Sequence, residues 1–244
     1  MQHQGPEILI TLPTYNELET LEGVVTRVLE QVPEAHLLIV DDGSPDGTGE
    51  LADRLAADPR IRVLHRPGKL GLGTAYIAGF QHAFSEGYRW VVEMDADGSH
   101  LPEELPALLD AARSGAGLVI GARWIDGGSI KNWPWYRVVI SRIGTAVARR
   151  SLRSRLHDLT SGYRVLDTSW ISRIDLTEIS SDGYGFQIES AWLLERVGCP
   201  ITEVPITFVE RAGGRSKMSF GIVVEALASV LTWGVRIRFT RRVK

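Results

Sequence analysis

The sequence predicts an α/β fold with a mostly parallel central sheet flanked by helices, and three observations carry that prediction. Short apolar runs alternate with helical patterns through the first half of the chain. Those runs are continuous rather than alternating, as strands covered by helices on both faces require. The residues that follow them are acidic or turn-forming, as at the carboxyl ends of strands in an open α/β sheet, where ligands bind.

In order, Ile8 to Leu12 reads as a strand, Leu18 to Leu29 as a helix, Leu37 to Val40 as a strand and Gly49 to Ala57 as a helix. The rhythm continues with a strand at Ile61 to Leu64, a helix at Gly71 to Phe84 and a strand at Trp90 to Met94. A helix at Glu103 to Ala112 and a strand at Leu118 to Gly121 complete it. After Arg123 the rhythm breaks into a loop containing Gly127, Gly128, Trp133, Pro134 and Trp135, followed by a basic helix from about Arg137 to Arg155. A helix near Gln187 to Val197, an alternating strand Ile201 to Val209, a Gly-rich basic loop Glu210 to Ser219 and an apolar helix Phe220 to Val235 close the chain. Residues 1–220 are expected to form one domain, with a nucleotide-binding half at about 8–125 and an acceptor half at about 126–220. Residues 221–244 are expected to be an interfacial helix with a basic tail.

With 244 residues, 44% of them hydrophobic, the chain can bury a sizeable core. The single Cys199 excludes an intramolecular disulfide framework, and Met1 to Gly5 has neither a basic nor an apolar leader region. Both point to a cytoplasmic setting. The net charge of −3 hides an asymmetry: residues 1–126 carry 9 Lys and Arg against 20 Asp and Glu, whereas residues 127–244 carry 18 against 10. The second half should therefore face something anionic.

Acids at three strand ends define one electronegative crevice. Strand one runs into Pro13-Thr14-Tyr15-Asn16-Glu17, strand two into Asp41-Asp42-Gly43-Ser44-Pro45-Asp46-Gly47, and strand four into Asp95-Ala96-Asp97-Gly98-Ser99. Asp95 and Asp97, one residue apart at a strand end, are aimed to one side by alternation, and two hard oxygens plus water and a diphosphate suit Mg²⁺ or Mn²⁺. An isolated Asp-x-Asp more often makes a turn; the strand before this one favours the metal. Asp42 is placed to bond a ribose hydroxyl or base edge. Pro45 and the missing bidentate Glu argue against a calcium loop, and Tyr76 where a third Gly belongs argues against a dinucleotide fingerprint.

These motifs, with Gly71-Leu72-Gly73 and Gly121-Ala122-Arg123, run in order along the chain. Together they resemble the family 2 glycosyltransferases of GT-A fold and, more closely, the polyprenol (dolichol) monophosphomannose synthases. The resemblance implies transfer of mannose from GDP-mannose to a polyprenyl phosphate with inversion. It implies that Pro13, Tyr15, Glu17, Val40 and Asp42 hold the nucleoside, that Asp95, Ala96 and Asp97 lie on the nucleotide-sugar, and that Asp95 and Asp97 bind the metal. The third metal position, Gln in a relative, is Ser99 here. The family's later basic residues map to Arg211 and Lys217, cations able to clamp a diphosphate from a Gly-rich loop. Asp97, Arg123, Arg211 and Lys217 are the expected catalytic set.

Between Lys131 and Arg155 there are seven Lys and Arg and no acid, interleaved with Trp133, Trp135 and Tyr136. Phosphate at a lipid interface fits this pattern. Nucleic acid does not, since no nucleic-acid motif is present. Arg123, Arg137 and Ser141 are the candidates for the acceptor phosphate. Gln187 and Glu189 are either hydrogen-bond partners of mannose hydroxyls or structural support, and Asp158 to Arg164 matches a family turn beside the sugar pocket. Phe220 to Val235, at about 24 Å, is short of a bilayer core, so it lies on the membrane or packs on the protein. Attachment is then peripheral, on the cytoplasmic face, with firmer anchoring left to a membrane-anchoring protein. A family 2 transferase using UDP-glucose or another donor, and a non-catalytic nucleotide-sugar binder, are the rival readings.

Overall fold

A computed structural model of the chain describes residues 7–177, 179 and 183–210. The nucleotide half follows the expected rhythm. β1 (Ile8–Thr14), β2 (His36–Asp41), β3 (Ile61–His65), β4 (Trp90–Glu93) and β5 (Leu118–Ala122) alternate with α1 (Leu21–Gln31), α2 (Thr48–Leu55), α3 (Leu72–Glu86) and α4 (Leu105–Arg113), the last preceded by a 3₁₀ turn at Pro102–Glu104. Beyond β5 come β6 (Ser129–Lys131), α5 (Trp135–Leu152), β7 (Arg164–Asp167), α6 (Thr168–Ile171), α7 (Tyr184–Arg196), β8 (Ile201–Pro205) and β9 (Thr207–Val209).

Seven strands form the main sheet in the order β3-β2-β1-β4-β7-β5-β8. All neighbours pair in parallel except at β7, which is antiparallel to both β4 and β5. Side-chain alternation splits the core into two layers. Ile8, Ile10 and Leu12 of β1 pack with α1 and α4 on one face, while Leu9 of the same strand packs with α3, α6 and α7 on the other. Burial on both faces explains the unbroken apolar runs.

Two expectations fail here. The stretch Ile201 to Val209 is not one strand: β8 belongs to the main sheet, and β9 pairs with β6 in a separate two-stranded ribbon. The break lies at Pro205, which cannot donate to a ladder, and at buried Ile206, whose N–H bonds Ala122 O (3.1 Å) while its C=O accepts from Ser129 N–H (2.9 Å). β7 falls outside every expected strand; its four residues hold only Val165 and Leu166 as apolar signal. Other boundaries move by a few residues, as for α5, which starts at Trp135 after Pro134 and ends where Arg153 turns left-handed at φ 56°. The expected helix at 220–235 and the basic loop after Glu210 lie outside the described residues.

α3 crosses β1 at Gly79, where an added Cβ would stand 2.4 Å from Thr11 Oγ1 and 2.8 Å from its Cγ2. Both residues sit in the interior, so Gly79→Ala must push α3 off the sheet. The expected loss is about 2 kcal/mol, read as a lower urea midpoint with an unchanged slope. A midpoint equal to that of the unaltered protein would show that α3 has room there.

Candidate functional site

The first two strand ends are laced together. Parallel register places Pro13 beside Val40 and Thr14 beside Asp41. Past β1, the Asn16 N–H donates to Ser44 Oγ (3.0 Å), the Glu17 N–H to Thr48 Oγ1 (3.0 Å) and the Leu18 N–H to Asp46 Oδ2 (3.3 Å). Buried Asp41 accepts from the Ser44 hydroxyl (2.6 Å) and from Thr14 Oγ1 (3.2 Å), which makes it a brace for this turn. Tyr15 stands at the rim with the Lys69 ammonium 4.8 Å from its ring centre.

Asp42 is more committed than its sequence position indicates. Its carboxylate pairs with Arg66 and accepts from the Leu70 N–H (3.2 Å), while Arg66 reaches on to Thr74 Oγ1 (2.6 Å) and Gly71 O (2.9 Å). Asp42 thus fixes the loop 66–71 as a wall of the crevice, and a nucleoside that reaches it shares oxygens already in use. Arg66 carried no signal in the sequence beyond being basic, because its partner lies 24 residues away.

At the third strand end the expectation needs correcting. β4 stops at Glu93, so Asp95 and Asp97 lie in the turn beyond it, with Gly98 at φ +78°, and strand alternation does not aim them. The turn does. Asp97 is buried and its Oδ1 accepts the Ser99 N–H (3.0 Å); Asp95 is a third exposed and its Oδ1 accepts from Tyr76 Oη (3.3 Å). Ser99 Oγ is buried and makes no hydrogen bond. Among the described residues no cluster of three or more His, Cys, Asp or Glu side chains could hold a metal. Two carboxylates and an unsatisfied hydroxyl fit a hard divalent cation that takes its other oxygens from a diphosphate and water.

His100 gives this turn its floor. Its Nδ1 accepts the Asp95 N–H (3.0 Å), its ring stacks on Tyr163 (4.8 Å between centres) and meets the edge of Phe208 (5.5 Å). Burial pushes its pKa down to about 4, against the opposing charge of Asp97, so the ring is neutral. Below lies Glu93, paired in sheet register with Arg164 on β7. Burial raises its pKa to about 7; the Arg164 cation and the Gln187 amide pull the other way, although the Glu93 and Gln187 side chains make no hydrogen bond of normal geometry. Gln187 and Glu189, in the first turns of α7, are both buried, and a Cβ on Gly162 would touch Gln187 Nε2 and His100 Cε1 alike at 3.7 Å. Gln187, Glu189 and the turn ending at Arg164 stood out in the sequence, but their meeting with Glu93 and His100 did not, because it depends on the antiparallel insertion of β7.

The acceptor candidates meet around one ring. Buried Arg123 follows β5 and grips Asp158 through Nε and Nη2, both at 2.7 Å, with a further bond from Nη2 to Thr160 Oγ1 (2.8 Å). Its guanidinium carbon lies 6.0 Å from the Trp133 ring centre, and that of Arg137 lies 4.6 Å from the same ring. Arg137, in the first turn of α5, donates to both oxygens of Glu210 (2.6 and 2.9 Å). Ser141 is one helical turn further on, half-buried. Both cations thus already carry carboxylate partners, Asp158 on Arg123 and Glu210 on Arg137. Arg211 and Lys217 lie outside the described residues.

Comparison with known proteins follows the same lines. The chain is 51% identical over 235 residues to the polyprenol monophosphomannose synthase of Mycolicibacterium smegmatis, covering 96% of this chain and 89% of the relative. It is 52% identical over 233 residues to the undecaprenyl-phosphate mannosyltransferase of Micrococcus luteus, covering 95% and 96% respectively. In fold it is similar to the crystal structure of glucosyl-3-phosphoglycerate synthase from Mycobacterium tuberculosis in complex with Mn²⁺, UDP-glucose and phosphoglyceric acid. That likeness has a TM-score of 0.71 at 20% identity and covers 94% of this chain and 80% of that one. The model of the family described as glycosyl transferase family 2 matches residues 9–175, and the chain belongs to that family.

Proposed function

We propose that the protein transfers mannose from GDP-mannose to a polyprenyl phosphate with inversion at the anomeric carbon, releasing GDP. The observation that carries this reading is the identity of about half of all residues, over nearly the whole length, with relatives named for transfer of mannose to such lipids. The donor is assigned by the resemblance of the Pro13–Glu17 and Asp41–Thr48 segments, which here form one laced crevice.

In this reading one bond forms and one breaks. A phosphate oxygen of the acceptor attacks the anomeric carbon, and the bond from that carbon to the diphosphate of GDP gives way. A phosphate monoester with a second pKa near 6 is already ionised at neutral pH, so no protein base is needed. Asp95, Asp97 and Ser99 would hold Mg²⁺ or Mn²⁺, which would supply charge neutralisation for the leaving diphosphate. Pro13, Tyr15, Glu17, Val40 and Asp42 line the nucleoside end, and Ala96, between the two metal-site acids, lies on the nucleotide-sugar. Arg123, with Arg137 and Ser141, orients the acceptor phosphate, and Arg211 and Lys217 clamp the departing GDP. A cytosolic nucleotide sugar and a membrane lipid meet only at the cytoplasmic face, which is where the protein works.

Purified protein with Mn²⁺, radiolabelled GDP-mannose and a polyprenyl phosphate is expected to move label into an organic-soluble product. UDP-glucose in place of GDP-mannose should give none. Label transferred from UDP-glucose instead, or GDP-mannose bound without any product, would overturn the reading.

A further inference from the structure

Glu203 on β8 is nearly closed off from solvent, its side chain 12% exposed. A carboxylate so placed needs donors, and the loop after α5 supplies them. Its Oε1 accepts the N–H groups of His157 and of Asp158, both at 2.8 Å, and its Oε2 lies 2.7 Å from His157 Nδ1. Two consecutive amides on one oxygen fix the backbone at that point. Leu156 and Leu159, buried in the layer shared with α3 and α7, hold it from either side.

The side chain that leaves this fixed point is that of Asp158, fully buried. Besides gripping the Arg123 guanidinium, Asp158 accepts the Arg123 main-chain N–H on Oδ2 (2.9 Å). It therefore sets both where Arg123 leaves β5 and where its guanidinium points. β8 is tied to the same place: Glu203 pairs with Ile120 of β5 in parallel register, and the Ile206 N–H bonds the carbonyl of Ala122, the residue before Arg123 (3.1 Å). From Glu203 through the two amides and Asp158 to the guanidinium, no bond is longer than 2.9 Å. The chain of contacts ends on the cation assigned above to the acceptor phosphate.

We propose that Glu203 is a positioning residue for the acceptor: by holding the His157 and Asp158 amides, it fixes the direction in which Asp158 presents Arg123 to the incoming phosphate. The proposal rests on the acceptor role given to Arg123 under the proposed function. Glu195 on α7 provides the comparison, since it accepts the Arg155 N–H (2.9 Å) of the same loop, three residues before Asp158. Carboxylates that only braced the loop would behave alike at the two positions.

The test uses the full chain with Mn²⁺, GDP-mannose and a short water-soluble isoprenyl phosphate. Glu203→Ala is expected to raise KM for the isoprenyl phosphate about tenfold while leaving KM for GDP-mannose as it was. Glu203→Gln, whose amide oxygen can still take both N–H groups, should recover most of that loss, and Glu195→Ala should move neither KM. A second readout needs no substrate: hydrogen exchange at the Arg123 Nε–H, followed by NMR, should quicken about tenfold in Glu203→Ala and stay unchanged in Glu195→Ala. Should Glu203→Ala fail to fold, Glu203→Asp, one methylene short of the amides, carries the same expectations. Equal losses on both substrates, or one exchange rate in parent and variant, would overturn the proposal. So would a Glu195→Ala variant that behaves like Glu203→Ala. If Arg123→Lys leaves KM for the isoprenyl phosphate unchanged, or the unaltered protein transfers no mannose, it is the acceptor reading that fails, and the Nε–H exchange still decides whether Glu203 holds Arg123 in place.

Discussion

Asp97→Asn is expected to lower kcat/KM for mannose transfer by about a thousandfold or more, nearly as far as Asp97→Ala, while leaving the protein folded. The two substitutions separate the observed turn-shaping role of this side chain from its proposed metal role. Asp97 accepts the Ser99 N–H and so shapes the turn, and the Asn oxygen can still do that. What Asn lacks is the negative charge a divalent cation requires of a ligand in a site with so few others. If the residue mattered only to the turn, Asn would retain most activity and only Ala would fail. The turn itself is worth about 1 kcal/mol of stability, too little to unfold the chain. Binding of Mn²⁺ with GDP, followed calorimetrically, should weaken in both variants, and full turnover by either would remove Asp97 from the metal site.

Much of this architecture was readable because parallel strands buried on both faces have a plain signature. Val91 and Val92, or Leu37 to Val40, are uninterrupted apolar runs because neither face of the sheet meets water. β7 was not readable, since its pairing with β4 and β5 is fixed by residues more than forty positions distant and its own four residues supply two apolar side chains. The split of Ile201–Val209 had a local sign in Pro205, but nothing local says that the chain changes sheets there rather than bulging.

The site divides in the same way. Its acids were legible as a set because each follows a strand, and strand ends converge. Their partners were not. Arg66 on Asp42, Asp158 on Arg123 and Glu210 on Arg137 join positions 24, 35 and 73 residues apart, and a sequence shows charge without showing who neutralises it. This matters for function, because a paired arginine is a weaker and more selective anion trap than a bare one: an incoming phosphate must offer more than the carboxylate it displaces.

Buried Glu93 and His100, which flank the Asp95–Asp97 turn in sequence, lead to a pH dependence that only single substitutions reveal. Glu93 goes from an ordinary 4.5 to about 7 in the folded protein, and burial is the main cause. The folded state therefore holds a proton that the unfolded chain has released, and this contribution to stability is lost as pH rises from 4.5 to 7. His100 goes from 6.5 to about 4, again chiefly through burial. Here the unfolded chain takes up a proton that the folded state refuses, so stability is lost as pH falls from 6.5 to 4. Each effect is about 3 kcal/mol across its window. Between pH 4.5 and 6.5 the two slopes oppose each other and nearly cancel. Glu93→Gln is therefore expected to expose the histidine alone, with stability rising from pH 4 to 6.5. His100→Asn, whose amide oxygen can take the Asp95 N–H, should expose the glutamate alone, with stability falling from pH 4.5 to 7. Urea unfolding of both variants and the parent across pH 4 to 8 would resolve the opposite slopes. Parallel curves for all three would mean that Glu93 and His100 titrate in the folded protein much as they do in water.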